Sequence, residues 1–150
     1  MSEIGKPVEI LLVEDNPGDR ELAIEALRDS KVKNNLHIAE DGEEAIEFLK
    51  NSKKNPDYIM PDLILLDLNL PKKDGREVLE EIKADPELKS IPVVVLTTSR
   101  AEEDVLKSYN LHANCFISKP LDFNQFVEVI KSIEDFWLTI VKLPPNKENR

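Results

Sequence analysis

Short apolar runs alternate strictly with segments of helical spacing along this chain, and the alternation limits the folds open to it. Five runs are typical of buried strands, because each is short, apolar and bounded by turn-forming residues. Strand–helix units repeated five times predict a parallel sheet with helices on both faces, joined by right-handed crossovers. The runs are Val8–Val13, Leu36–Glu40, Leu63–Asp67, Val93–Thr97 and Ala113–Ile117.

The intervening segments carry apolar residues at the three- and four-residue spacing of amphipathic helices. Their starts are marked by side chains that can accept from backbone N–H groups left without partners inside the helix. Those starts are Asn16-Pro17, Asp41-x-x-Glu44, Asp74-x-x-Glu77, Ser99-x-x-Glu102 and Asp122-x-x-Gln125. The predicted buried faces are Leu22, Ala23, Ala26 and Leu27; Ala45, Ile46 and Leu49; Val78, Leu79 and Ile82; Ala101, Val105 and Tyr109; and a long face from Phe123 to Val141. The polar segment 51–61 is predicted to be a surface loop.

Composition indicates one acidic domain. We predict a single domain over residues 1–143 with an extended C-terminal helix, and a short tail over 144–150, because Pro144 should stop the helix. The 30 acidic residues outnumber the 20 Lys and Arg, which disfavours a nucleic-acid-binding face. The one cysteine, Cys115, excludes an internal disulfide, and no apolar run is long enough to cross a membrane. We therefore expect a cytoplasmic protein.

Acidic, hydroxyl and lysine residues follow the predicted strand ends, where sheets of this type bind ligands. The common strand order 2-1-3-4-5 would bring Glu14 and Asp15 next to Asp67. Like charges 4 Å apart repel by about 4 kcal/mol at an effective dielectric near 20, so this group should shift its pKa values or bind a cation. Mg²⁺ is the expected cation, with Asp67 as a nucleophile that forms an aspartyl phosphate. Thr97 and Lys119 could hold phosphoryl oxygens.

Each of these residues alone also has a simpler explanation. Glu14-Asp15 could only favour the N-terminus of the next helix, and Asp67 could be an exposed turn residue. Thr97 is an ordinary strand residue by propensity, and Lys119 an ordinary surface lysine. Their coincidence at neighbouring strand ends favours a site.

Four motifs resemble the receiver domain of bacterial two-component response regulators: "LLVEDNP", "LILLDLNLPKKDG", "IPVVVLTTS" and "CFISKP", in family order and spacing. The resemblance runs from about Val8 to about Asp135. It implies a flavodoxin-like (βα)5 three-layer α/β sandwich with a parallel five-stranded sheet of order 2-1-3-4-5. It also implies site roles: Glu14 and Asp15 as the metal-binding acid pair, Asp67 as the phosphoacceptor and metal ligand, Asn69 as a backbone-carbonyl metal ligand, Thr97 and Phe116 as switch residues, and Lys119 as the phosphoryl-binding lysine.

The implied function is that of a stand-alone response regulator in a phosphorelay. A sensor histidine kinase or a histidine phosphotransfer protein would phosphorylate Asp67 with Mg²⁺ bound, and the chain would signal through protein–protein contacts without a DNA-binding output domain. The stretches "LPKKDGREVL", "SYNLHANCF" and "FWL" resemble the small regulators of phytochrome-type histidine kinases. The chain is not expected to be an enzyme, although such domains can catalyse their own phosphorylation and dephosphorylation. Neither nucleic acid nor membrane is an expected partner.

A homodimer through helix four, strand five and the C-terminal helix is a further expectation. Val129, Phe136 and Ile140 lie off the main apolar face of that helix. A wide buried face or a fold-back of the tail would explain them equally well.

Three other functional classes compete with this interpretation. A phosphatase with an aspartate nucleophile generally needs a second acid two residues later, where this chain has Asn69. A nucleotide- or flavin-binding module would need a G-x-G-x-x-G or P-loop sequence, and the chain contains neither. A receiver-like interaction module that is never phosphorylated is disfavoured by the full set of site residues.

Overall fold

The computed structural model describes residues 7–29, 33–55 and 57–97, then residues 101, 104, 106, 107, 111, 124, 128 and 132, and the backbone of residues 115–118. Strands and helices alternate through this part of the chain, as predicted. Residues 101, 104, 106 and 107, and later 124, 128 and 132, are also helical. In chain order the elements are β1 Val8–Val13, α1 Pro17–Arg28, β2 Asn34–Ala39, α2 Gly42–Lys54, β3 Leu63–Asp67, α3 Gly75–Ala84, β4 Val93–Thr97 and β5 Cys115–Ser118.

The five strands form one parallel sheet in the order β2-β1-β3-β4-β5, which confirms the predicted fold class. Val13 lies opposite both Ala39 and Leu66, so β1 and β2 finish level with each other and β3 extends one residue further, to Asp67. Pairing continues past the strand ends, since Glu14 N donates to Ala39 O at 3.0 Å. The carboxyl ends of β1, β3 and β4 therefore meet at one edge of the sheet.

The central strands supply two hydrophobic cores, because successive strand residues face opposite sides of the sheet. One core lies under α2 and α3 and also takes in Leu106 and Leu111; the other lies under α1. The predicted buried faces of α1, α2 and α3 are confirmed, with Leu22 only partly buried.

Three helix starts follow the sequence prediction. Asn16, Asp41 and Asp74 are N-caps whose side chains accept from Asp19 N, Glu44 N and Glu77 N. The Asp74 start is a full reciprocal capping box, whereas the Glu44 carboxylate accepts from Glu40 N instead of from its own cap. The Ser99 and Asp122 starts lie outside the described residues.

Three local predictions were wrong. Strand β2 runs from Asn34 to Ala39 instead of Leu36 to Glu40. Residues 51–54 continue helix α2, because the Ser52 hydroxyl donates to Phe48 O and Ile59 O and anchors this turn. Ala101 is exposed, and among the described residues of its segment Leu106 is the buried one, whose larger side chain enters the core, while Val105 and Tyr109 lie outside the described residues.

Candidate functional site

Three carboxylates meet at the carboxyl edge of the sheet. Glu14, Asp15 and Asp67 each offer an oxygen, and these oxygens all lie within 4.8 Å of one another. Glu14 and Asp67 are 0% and 1% exposed, whereas Asp15 is exposed. Two of the three carboxylates are thus buried at the ends of β1 and β3, and the third, that of Asp15, is exposed beside them.

Backbone N–H groups orient the two buried acids. Asn16 N donates to Glu14 Oε2 at 3.1 Å, and Asn69 N donates to Asp67 Oδ1 at 3.0 Å. Each donor lies two residues after the acid it serves, so the loop leaving each strand folds back onto the carboxylate. These contacts hold both acids in place against their mutual repulsion.

Arg20 holds the loop between β1 and α1 from the helix side. Its Nη1 donates to Glu14 O and to Asp15 O, each at 3.1 Å, and the side chain is half-buried. Sequence reasoning missed this residue. A signal was available, because a cation near a helix N-terminus is disfavoured by the helix dipole and so suggests a specific partner.

Thr97 ends β4 at the same edge. In the sheet register Asp67 lies opposite Leu96, so Thr97 lies one residue beyond the level of Asp67. Thr97 is fully buried, and its Oγ1 makes no hydrogen bond with any group that the structure describes. Leaving such a group unpaired costs about 1–3 kcal/mol, which favours a partner that arrives when the site is used.

Two other residues predicted at this edge are Lys119 and Phe116. Lys119 and the side chain of Phe116 lie outside the described residues. The backbone of β5 ends at Ser118, opposite Thr97. The roles of Lys119 and Phe116 stay predictions.

The loop from Leu68 to Asp74, which follows the acceptor acid, is packed tightly between two helices. A Cβ on Gly75 would lie 2.4 Å from Asp67 O, and a Cβ on Gly42 would lie 1.7 Å from Lys73 O. Lys72 adopts a positive φ of 66°, and its Nζ lies 3.5 Å from Asp41 Oδ2. Both glycines therefore allow the first residues of α2 and α3 to lie against the backbone of Lys73 and Asp67.

The donor set suits a hard divalent cation. Carboxylate and carbonyl oxygens are the ligands that Mg²⁺ and Mn²⁺ prefer, and neutralising two buried acids favours occupancy. The geometry of Glu14, Asp15 and Asp67 fits such an ion. A contribution from the Asn69 carbonyl stays a prediction.

Residues 10–131 match the family model for the response regulator receiver domain. The chain belongs to this family. It is 50% identical over 142 residues to response regulator Rcp1 of Synechocystis sp., across 95% of this chain and 97% of that protein. The predicted family resemblance, including its closeness to phytochrome-linked regulators, is confirmed.

Two solved structures are closely similar to this receiver domain. The phosphorylated cyanobacterial phytochrome response regulator RcpA is 52% identical with a TM-score of 0.76, across 89% of this chain and 95% of that one. The Mn²⁺-bound form of Rcp1 is 50% identical with a TM-score of 0.76, across 93% and 100% of the two chains. Family membership makes this chain a signalling protein of two-component systems. Within the part of the receiver domain that the structure describes, no helix has the length and apolar character needed to cross a membrane.

Proposed function

We propose that this receiver domain is a phosphorelay response regulator that accepts a phosphoryl group on Asp67 with Mg²⁺ bound. The observation that carries the proposal is the cluster of Glu14, Asp15 and Asp67, whose oxygens lie within 4.8 Å of one another around the end of a central strand. A similar regulator with Mn²⁺ bound and a similar one in phosphorylated form support it. Asn69 would add its backbone carbonyl to the metal ligands.

The transfer step assigns a nucleophilic role to Asp67. One of its carboxylate oxygens attacks the phosphorus of a phosphohistidine on the donor protein, and an O–P bond forms as the P–N bond breaks. The electron pair of the broken bond stays on the imidazole nitrogen. Glu14, Asp15 and Asp67 would hold the Mg²⁺, which when bound would supply charge neutralisation for the phosphoryl oxygens. The Asn69 N–H, 3.0 Å from Asp67 Oδ1, keeps the attacking carboxylate aligned.

The response to phosphorylation would begin with Thr97 and Lys119 as donors to the new phosphoryl oxygens. Charge-assisted hydrogen bonds contribute roughly 1.5–3 kcal/mol each, so two give on the order of 3–6 kcal/mol. Moving a conformational equilibrium from 1:99 to 99:1 takes about 5.5 kcal/mol, so the contacts suffice if the inactive state is modestly favoured. Thr97 moving inward would leave space for Phe116, and the surface around β5 and its flanking helices would change.

The proposed donor is a phytochrome-type histidine kinase, or a histidine phosphotransfer protein that relays its phosphoryl group. RcpA, which is 52% identical to this chain, is a phytochrome response regulator, and this similarity supports the choice.

The proposal also places the protein in the cytoplasm, with the receiver domain over residues 1–143 and a tail over 144–150. It includes neither nucleic acid nor membrane as a partner. Output would pass through protein–protein contacts, including a homodimer through β5 and its flanking helices, which sedimentation with and without a phosphoryl analogue would test.

Labelling with acetyl phosphate and Mg²⁺ tests the acceptor. Wild-type protein should gain one phosphoryl group, measured by intact mass, and Asp67→Asn should gain none. Asp41→Asn is the matched control, because it removes an acid outside the cluster while asparagine still serves as an N-cap. Full labelling of Asp67→Asn would reject the assignment, and an unlabelled wild type would favour an interaction module that is never phosphorylated.

A further inference from the structure

We infer that Arg20 is a positioning residue for the metal site, acting through the backbone on both sides of Asp15. The inference rests on the proposed function, since it assigns to Arg20 the task of aiming one of the proposed metal ligands. It starts from two hydrogen bonds: Arg20 Nη1 donates to Glu14 O and to Asp15 O, each at 3.1 Å.

These two carbonyls have a special relation to Asp15. Glu14 O belongs to the peptide unit that precedes the Asp15 Cα, and Asp15 O belongs to the unit that follows it. Peptide units are planar, so the φ and ψ angles of Asp15 are set by the orientation of these two planes. Because Arg20 Nη1 hydrogen-bonds the carbonyl oxygens of both peptide units, it restrains φ and ψ of Asp15 together. These angles determine where the Asp15 Cβ points.

Asp15 needs such a restraint more than the other two acids do. Glu14 and Asp67 are buried, and each accepts from a backbone N–H of its own loop. Asp15 is exposed and lies in the short connection between β1 and α1, although its carboxylate must stay within 4.8 Å of the other two. Arg20 is half-buried on the first turns of α1, so its guanidinium is anchored by the helix that the loop leads into.

The charge of Arg20 and its hydrogen bonds to the backbone predict opposite changes in metal affinity when Arg20 is replaced. A cation beside an acidic pocket repels a divalent ion, so removing the guanidinium charge alone would make metal binding tighter. Removing the restraint on Asp15 would make binding weaker, because partners that orient a metal ligand typically contribute tenfold or more to affinity, about 10–100-fold. The sign of the change in metal affinity thus separates a positioning role from a purely electrostatic one.

The experiment compares three variants of the unphosphorylated full chain. Arg20→Met keeps the length of the side chain and removes its donors, and Arg20→Lys keeps the charge with a less suitable donor. Arg28→Met is the matched control, because it removes the same charge from an exposed position on the last turn of the same helix. The dissociation constant for Mn²⁺ is measured from the electron paramagnetic resonance signal of the free ion, and urea unfolding is measured in the presence of a chelator.

Arg20→Met should bind Mn²⁺ about tenfold more weakly than wild type, with Arg20→Lys between the two and Arg28→Met unchanged. A purely structural role would instead lower the metal-free stability of Arg20→Met and leave its Mn²⁺ affinity at the wild-type value. Unchanged or tighter Mn²⁺ binding in Arg20→Met overturns the inference, and if that variant does not fold, wild-type affinity in Arg20→Lys overturns it. A wild type that binds no Mn²⁺ would overturn the metal site and this inference together, whereas tight wild-type binding with no effect at Arg20 would overturn the inference alone.

Discussion

Helix α3 begins so close to the end of β3 that the structure has room only for glycine at position 75. A Cβ on Gly75 would lie 2.4 Å from Asp67 O and 2.5 Å from Leu68 Cα. Both are backbone atoms, which cannot rotate away as a side chain can. Gly75→Ala must therefore move the start of α3 away from the acceptor strand and lengthen the 3.0 Å hydrogen bond from Gly75 N to Leu68 O.

The size of this effect follows from the overlap. Carbon atoms pack best at about 3.5–4.0 Å, so the backbone must shift by roughly 1 Å to relieve the contact. Overpacking of this kind costs about 1–3 kcal/mol, and more where the neighbour is rigid. The better helix propensity of alanine returns at most about 1 kcal/mol. After this gain is subtracted, we expect Gly75→Ala to lower the free energy of unfolding by about 1–2 kcal/mol, and by more if the backbone cannot shift.

Urea unfolding followed by far-UV circular dichroism measures this difference, and Gly18→Ala is its matched control. Gly18 is the second residue of α1, and the nearest atom to a Cβ there is the side-chain atom Asn16 Oδ1 at 3.2 Å, so this variant should stay within about 1 kcal/mol of wild type. Gly75→Ala should also slow labelling by acetyl phosphate, because it displaces the backbone of Asp67. Equal stabilities for the two variants would refute the reasoning that the start of α3 fixes the acceptor.

Two further substitutions test the proposed role of the Thr97 hydroxyl and the contribution of a surface ion pair. Thr97→Val removes a buried hydroxyl that makes no hydrogen bond within the described part of the chain, so the unphosphorylated protein should keep its stability in urea or gain about 1 kcal/mol. The stability that the wild type gains from beryllium fluoride, a phosphoryl analogue, should be smaller in this variant. A loss of more than about 2 kcal/mol without the fluoride would contradict that account. The Lys53 ammonium lies 2.5 Å from the Asp85 carboxylate, and its hydrogen bond holds the pKa of Asp85 below the ordinary value. The pair therefore stabilises the fold at pH values above the ordinary pKa of aspartate. This stabilisation is lost as the pH falls through the lowered pKa. Asp85→Asn should therefore flatten the acid limb of a plot of unfolding midpoint against pH, and an acid limb identical to that of wild type would show that this pair does not contribute.

The fold could be predicted from the sequence because its signals are local. Buried parallel strands appear as unbroken apolar runs, and capping residues such as Asp41 and Asp74 mark where the helices begin. Where local signals were weak, the prediction failed. The turn at Ser52 is polar and resembles a loop, but its hydroxyl finds acceptors at Phe48 and Ile59 that are visible only once the chain has folded.

The acids of the site were predictable for a related reason. A parallel sheet places the residues after its strands at one edge, so Glu14, Asp15 and Asp67 could be brought together on paper from strand order alone. The groups that hold the acids in place were not predictable in this way. The position of Arg20 near the start of α1 indicates a specific partner, but the sequence does not identify the two backbone carbonyls, five and six residues earlier, that it contacts.

The contacts on the two sides of Asp67 also differ in kind. On the side of α2 and α3, the loop after Asp67 is held by the close approaches at Gly42 and Gly75, so it has little room to adjust when a phosphoryl group arrives. On the side of β4, the Thr97 hydroxyl is buried and makes no hydrogen bond with any described group. A phosphoryl oxygen on Asp67 could accept a hydrogen bond from it, which would lower the free energy of the shifted position. Stiff packing and an unsatisfied donor thus lie on opposite sides of the acceptor. Under the proposed function, we therefore expect a structural response to phosphorylation to travel through β4 toward β5, because among the described residues Thr97 is a buried donor that would gain a hydrogen bond on that side.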